Sequence, residues 1–226
     1  MTPEAYEAWY ATSRGRWIAD VEYAMLRGML APEPGDTLLD VGCGTGHFAR
    51  RFARDGQRVV GIDPDADAIG WASAHTAWGE RYLRGVAEAL PFPDRSFDVV
   101  ASVAAIGFVR DPRAAIREMT RVARRRIVLG TLHRRSLLYL RKGRPGREGG
   151  YAGARWHDAR EARAWLEGLP VARAQLRSAV VLPGGGGLAR AVEAIWPRSL
   201  LAGAMLAVAA DVVPGDDARP RGTLAP

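Results

Sequence analysis

The chain has a single cysteine, Cys43, among 226 residues, so no internal disulfide can form. That suits a reducing compartment without requiring one. Lysine is almost missing: Lys142 is the only one, and the other basic residues are arginine. Only four histidines are present. No spacing of these with the lone cysteine makes a zinc site, so no metal is expected. No apolar run is long enough to span a membrane: the best, Leu200 to Val213, is too short and is interrupted by Asp211. The opening MTPEAYEAWY lacks the charged-then-apolar layout of a signal peptide. The expectation is a cytoplasmic protein with no transmembrane segment. Internal repeats are also missing.

At this length one domain is the default, with room for a substantial core. A hydrophobic fraction of 48% and a charged fraction of 25% are ordinary for a globular chain. The net charge of +7 admits two readings. One is an anionic partner, such as nucleic acid or a membrane surface. The other, preferred here because the excess is nearly all arginine, is compositional bias.

The chain is organised around Leu38 to Arg50, LLDVGCGTGHFAR. An apolar run ends in Asp40 and Val41. Gly42, Gly44 and Gly46 then alternate with Cys43 and Thr45, and a helix-like stretch begins at His47. Strand, glycine turn and helix together present a ligand to bare backbone and to a helix N-terminus. A second buried strand, Arg58 to Ile62, closes in Asp63, Pro64 and Asp65. An acid about 20 residues past such a turn is where a ribose diol is held. The two motifs point to an adenosine-containing ligand. A dinucleotide fold wants glycine at the position of His47, and the acid at Asp40 favours a ligand with an amine-bearing end over a pyrophosphate.

DVGCGTG followed by VVGIDPD resembles the class I methyltransferases that use S-adenosylmethionine. A third block, VAEALPFPDRSFDVVAS from Val86 to Ser102, resembles the subgroup similar to ubiquinone/menaquinone-biosynthesis methyltransferases. The resemblance covers roughly the first 130 residues. It implies a Rossmann-like, doubly wound α/β fold: a mostly parallel sheet of about seven strands, the last antiparallel, with helices on both faces. It also implies S-adenosylmethionine as cofactor, with S-adenosylhomocysteine as product, and a small-molecule acceptor, apolar or anionic. A homodimer is among the assemblies to consider.

Site expectations follow residue by residue. Gly42, Cys43, Gly44 and Gly46 bring backbone to the methionine and ribose portions. Asp40 orients the turn or meets the amino group, and Asp63 takes the ribose diol. Pro64, Ala87 and Leu90 flank the adenine. Relatives often carry an acid at the position of Val86, so backbone near Ala87, or Glu88 itself, substitutes. Ser102 stands where the fourth strand ends, at the ligand edge of an open sheet. Cys43 reads as small packing, not as a nucleophile. No catalytic residue is assigned. His133 and His157 are the only base candidates, and His47 is expected to line nothing.

Residues 1–34 read as two helices, with Gly15 interrupting them, that fold over the cofactor as a lid. Tyr6, Trp9, Gly15 and Glu22 resemble the family's leader segment. Residues 35–213 form the methyltransferase domain. Arg117-Glu118 and Arg121-Val122 resemble the family's R-E-x-x-R-V signature. Arg124-Arg125-Arg126 replaces the usual turn before a fifth strand at Ile127 to Gly130. A basic, leucine-bearing insertion covers about 133–157, and 214–226 is expected to be a disordered tail.

Three other functions stay open. A nucleic-acid methyltransferase would suit the basic loop, but the chain lacks both the tetrapeptide of amino-methylating enzymes and the proline-cysteine nucleophile of the cytosine type. A non-catalytic S-adenosylmethionine-binding relative would suit Val86 and the apolar stretch Ala104 to Phe108. A nicotinamide-dependent oxidoreductase is disfavoured by His47.

Overall fold

The structure, a computed structural model, describes residues 1–143 and 153–213. Two helices, α1 (Pro3–Ala11) and α2 (Ser13–Leu30), precede the sheet. Then follow β1 (Thr37–Val41), α3 (His47–Arg54), β2 (Arg58–Asp63), α4 (Ala66–Ala74), β3 (Arg81–Arg84), β4 (Phe97–Val103), α5 (Pro112–Val122) and β5 (Ala123–Leu132). The remainder is α6 (Leu137–Lys142), α7 (Ala159–Ala164), β6 (Val171–Ala179), α8 (Gly187–Ile195) and β7 (Met205–Val212). The seven strands lie in the order β3-β2-β1-β4-β5-β7-β6. Strands β1 to β5 pair in parallel, and β7 enters antiparallel between β5 and β6. The fold expected from the sequence is the one observed.

Both faces of the sheet are covered, so the central strands are apolar throughout and alternate between two cores. Leu39, Val100, Ile127, Leu129 and Leu206 face Ile116 and Met119 of α5 and Ala162 of α7. Their neighbours Leu38, Val99, Val128 and Ala207 face Leu26 and Leu30 of α2 and Phe48 and Phe52 of α3. A third cluster joins Trp17 and Ile18 of α2 to Leu138 of α6 and Ala189 of α8.

Gly15 does not break the N-terminal helices apart. It lies in the first turn of α2, whose cap Thr12 accepts its N–H at 2.9 Å. A Cβ on Gly15 would stand 2.0 Å from the Trp9 carbonyl oxygen, so only glycine lets α1 and α2 meet this closely. No turn separates α5 from β5, which begins at once with Ala123 and takes Arg124 to Arg126 into the strand. Those arginines meet acids: Arg124 reaches Asp98 at 3.1 Å, Arg125 reaches Glu33 at 2.9 Å, and Arg126 reaches Asp211 at 2.8 Å. Much of the expected basic insertion (144–152) and the expected tail (214–226) lie outside the described residues. Among those described, no helix is long and apolar enough to cross a membrane.

Candidate active site

The glycine turn crosses from β1 to α3. Gly42, Gly44 and Gly46 all take positive φ, at 77°, 52° and 80°, a region costly for side-chain-bearing residues. They differ in what surrounds them. A Cβ on Gly42 would lie 2.2 Å from Ala105 Cβ, and one on Gly46 would lie 2.4 Å from the Tyr82 hydroxyl oxygen. A Cβ on Gly44 would meet nothing within 4 Å. Gly42 and Gly46 are therefore fixed by packing, whereas Gly44 presents open backbone. Its N–H donates to Asp63 Oδ2 at 2.9 Å, and Asp63 Oδ1 accepts the Asp65 N–H at 2.9 Å. The Asp63 carboxylate is thus oriented by backbone at the end of β2.

Asp40 lies one register step inside the end of β1 and is 1% exposed. Neither carboxylate oxygen has a hydrogen-bond partner among the described residues, and the buried Ser102 hydroxyl on neighbouring β4 also lacks one. Burial, with the Asp63 charge adding, pushes the Asp40 carboxyl up to about 7. An unmatched buried carboxylate is costly, and a cation brought to the turn would relieve it. Cys43 is buried, and burial followed by the charge of Asp40 pushes its thiol far above the ordinary range. Its sulfur packs where a Cβ on Gly61 would come within 2.7 Å. That is a packing role.

A cavity of about 440 Å³ opens beside this turn. Of the residues expected at the cofactor, Gly42, Asp63, Pro64, Ala87 and Glu88 line it. Asp40, Cys43 and Ser102 are buried behind it, and Gly44 and Gly46 shape the turn. Leu90 sits in the core with Phe97 and Ile116 and not on the cavity wall. Val86 is exposed on the wall. Glu88 accepts the Asp111 N–H through Oε1 at 3.2 Å. The opposite wall is apolar: Val103, Ala104, Ala105, Phe108 and Val109, with Arg110 the cation there. Ala104 takes φ 59° and donates its N–H to Gly130 O at 3.0 Å, which turns the chain off β4 and across the cavity. A non-glycine residue in this conformation is strained, and such strain clusters at functional sites.

The R-E-x-x-R-V signature has a structural cause. Glu118 accepts the Leu90 N–H at 2.9 Å. Arg121 donates to Leu90 O at 3.1 Å, to Phe92 O at 2.9 Å and to Asp94 at 2.7 Å. It also holds Glu118 through two bonds of 2.7 Å. Together they staple the 88–94 loop, which carries the cavity residue Glu88, onto α5.

Helix α1 is tied to the same turn by a residue the sequence analysis did not single out. Glu7 accepts from Thr45 Oγ1 at 2.5 Å and from Arg50 at 2.9 Å, and His47 Nδ1 lies 3.6 Å away. The Tyr10 ring stacks on His47 at 3.7 Å, and Tyr6 lines the cavity. An acid on the same helical face as Tyr6 and Tyr10 was the available signal, but its partners lie about forty residues away. The two base candidates fall elsewhere. His157 Nδ1 lies 2.9 Å from Thr131 Oγ1, and His133 Nδ1 lies 3.0 Å from Gly203 O. Burial lowers both pKa values, and neither ring lines the cavity. Among the described residues, no cluster of side chains could hold a metal ion.

Residues 39–128 match the family described as Methyltransferase domain. The matched stretch holds most of the first strand, the glycine turn and Asp63. A malonyl-[acyl-carrier protein] O-methyltransferase of Serratia marcescens is 37% identical over 99 residues, 44% of this chain and 38% of the relative. An uncharacterised protein of Mycobacterium bovis is 35% identical over 170 residues, 72% of this chain and 55% of the relative. The chain thus spans between about a third and just over half of these curated relatives. Among solved structures, an S-adenosylmethionine-dependent methyltransferase of Thermotoga maritima superposes with a TM-score of 0.76 at 24% identity. That match covers 93% of this chain and 96% of the other, and it bears on the fold alone.

Proposed function

We propose that the protein moves a methyl group from S-adenosylmethionine to a small-molecule acceptor by in-line displacement. The observation that carries this reading is the Asp63 carboxylate, aimed by the Gly44 N–H at one end of a cavity beside bare backbone. When bound, the cofactor supplies a methyl group already activated by its sulfonium, so the protein needs neither nucleophile nor metal. The residues hold and orient. Asp63 accepts from the ribose diol. The backbone of Gly42, Cys43, Gly44 and Gly46 lies along the ribose and methionine portions. Asp40, ionised by the ligand's amino cation, anchors that end, and Ser102 supplies a further polar atom beside it. Pro64, Ala87 and Glu88 border the adenine, with Leu90 supporting them from the core. Helices α1 and α2, latched through Glu7, cover the site as a lid that excludes water. Proximity and alignment then account for most of the rate.

The apolar wall Val103 to Val109 with Arg110 at its end suits an apolar acceptor bearing an anionic group. The Serratia relative, named for a malonyl acceptor, supports that class. The block Val86 to Ser102 supports a place beside the ubiquinone/menaquinone-biosynthesis group. A cofactor-binding relative without turnover is the second reading, favoured by the exposed Val86 where relatives often have an acid. Calorimetric titration with S-adenosylmethionine and S-adenosylhomocysteine tests the site. Release of S-adenosylhomocysteine with a panel of small carboxylic acids separates the two readings: binding with turnover supports transfer, binding without it supports the second, and no binding rejects both.

A further inference from the structure

A second cavity, of about 300 Å³, lies at the carboxyl end of β5 and shares no lining residue with the first. We infer that it is a binding site for the phosphate group of a small phosphorylated molecule. Its walls carry His133, Arg135, Asp158, Arg160, Arg163 and Leu201. Three arginines and one carboxylate line it, and that carboxylate is already occupied. Asp158 accepts the backbone N–H groups of Arg160 and Glu161 at 3.0 and 3.1 Å, and it pairs with Arg134 at 3.3 Å and Arg135 at 3.6 Å. Arg160 and Arg163 are exposed, stand one helical turn apart on α7, and have no side-chain partner among the described residues. The cavity therefore carries an excess of unmatched positive charge.

The floor supplies the second observation. His133 is 1% exposed, and its Nδ1 lies 3.0 Å from Gly203 O. A carbonyl oxygen only accepts, so Nδ1 carries the proton and Nε2 is left as the ring's free polar atom. No described residue bonds Nε2. His133 lines the cavity with Arg160 and Arg163, and its unbonded imidazole nitrogen beside these arginines matches a tetrahedral oxyanion. Two phosphate oxygens take the arginines in bidentate fashion, and a protonated third donates to Nε2. A carboxylate has one oxygen too few for all three. Leu201 gives the remainder of the ligand an apolar side.

The probes are inorganic phosphate and phenyl phosphate, titrated into the full chain without cofactor. The readout is the His133 ring resonance, assigned by its loss in His133→Asn, a change that keeps a donor for Gly203 O. Saturable shifts of this resonance are expected, with phenyl phosphate tighter than inorganic phosphate and acetate the weakest. The Arg160→Ala/Arg163→Ala double variant, altered only at exposed positions, should lose about tenfold or more in affinity with its melting temperature unchanged. Equal binding by the double variant, an equal response to acetate, or no shift up to about 20 mM phosphate overturns the inference. The readout needs neither methyl donor nor turnover, so the result stands apart from the proposed transfer.

Discussion

The backbone N–H of Gly44 donates to the Asp63 carboxylate across 2.9 Å, tying the glycine turn after the first strand to the end of the second. The bond joins residues nineteen apart in sequence. It fixes where a ligand's sugar can stand, because Gly44 offers open backbone and Asp63 lines the cavity. The two flanking glycines are held by packing instead.

That contrast sets a first prediction. Gly44→Ala adds a methyl to open space and costs about 1 kcal/mol for its left-handed backbone. It should fold, yet lose S-adenosylhomocysteine affinity, because the methyl stands where the ligand approaches. Gly42→Ala drives its Cβ to 2.2 Å from Ala105 and should instead lower stability markedly. Urea unfolding paired with calorimetry separates the two variants.

The buried Asp40 predicts a pH dependence. Its carboxyl titrates at about 7 when folded, against 3.8 as the ordinary value. Because the folded value is raised, the stabilisation is complete below about pH 4 and is lost as the pH rises through about 7. The upper bound on that loss is on the order of 4 kcal/mol. Glu22, which burial and then the charge of Glu193 push to about 8, acts in the same sense. Asp40→Asn should therefore flatten the decline in melting temperature between about pH 5 and pH 8 without abolishing it. An unchanged slope would show that Asp40 does not titrate there.

The latch from α1 predicts a coupled effect. Glu7→Ala removes the acceptor for Thr45 and Arg50 at once. Hydrogen exchange should rise across residues 3–11 while the sheet stays protected. S-adenosylhomocysteine affinity should fall by about tenfold, the loss of roughly one charge-assisted contact. Faster exchange with unchanged affinity would reduce α1 to packing.

Arg121 should prove structural and not catalytic. It makes bonds to two carbonyl oxygens and two carboxylates, so Arg121→Ala should cost about 2–3 kcal/mol in urea unfolding. The 88–94 loop should loosen, and any turnover should fall through cofactor affinity and not through the chemical step.

The parts legible in the sequence were those written in local order. An apolar run, three alternating glycines and a closing acid announced β1, the turn and Asp63, and the family pattern supplied the antiparallel last strand. What escaped depends on partners remote in sequence. The Arg124 to Arg126 run looked like a connection and is strand, since its acids lie 26 to 92 residues away. Gly15 looked like a break, because nothing local shows that the Trp9 carbonyl will press against it. Glu7 carried no motif at all. Leu90 was expected at the cavity wall, but its side chain turns into the core while its backbone is held by Glu118 and Arg121.

Titration of S-adenosylhomocysteine into the wild-type chain and Asp63→Ala, followed by calorimetry, tests the cofactor site most directly. The expected result is saturable one-site binding by the wild type, weakened about thirtyfold or more in a folded Asp63→Ala, as suits loss of a charged acceptor for a diol. No heat with the wild type, or equal affinity in the two chains, would contradict it.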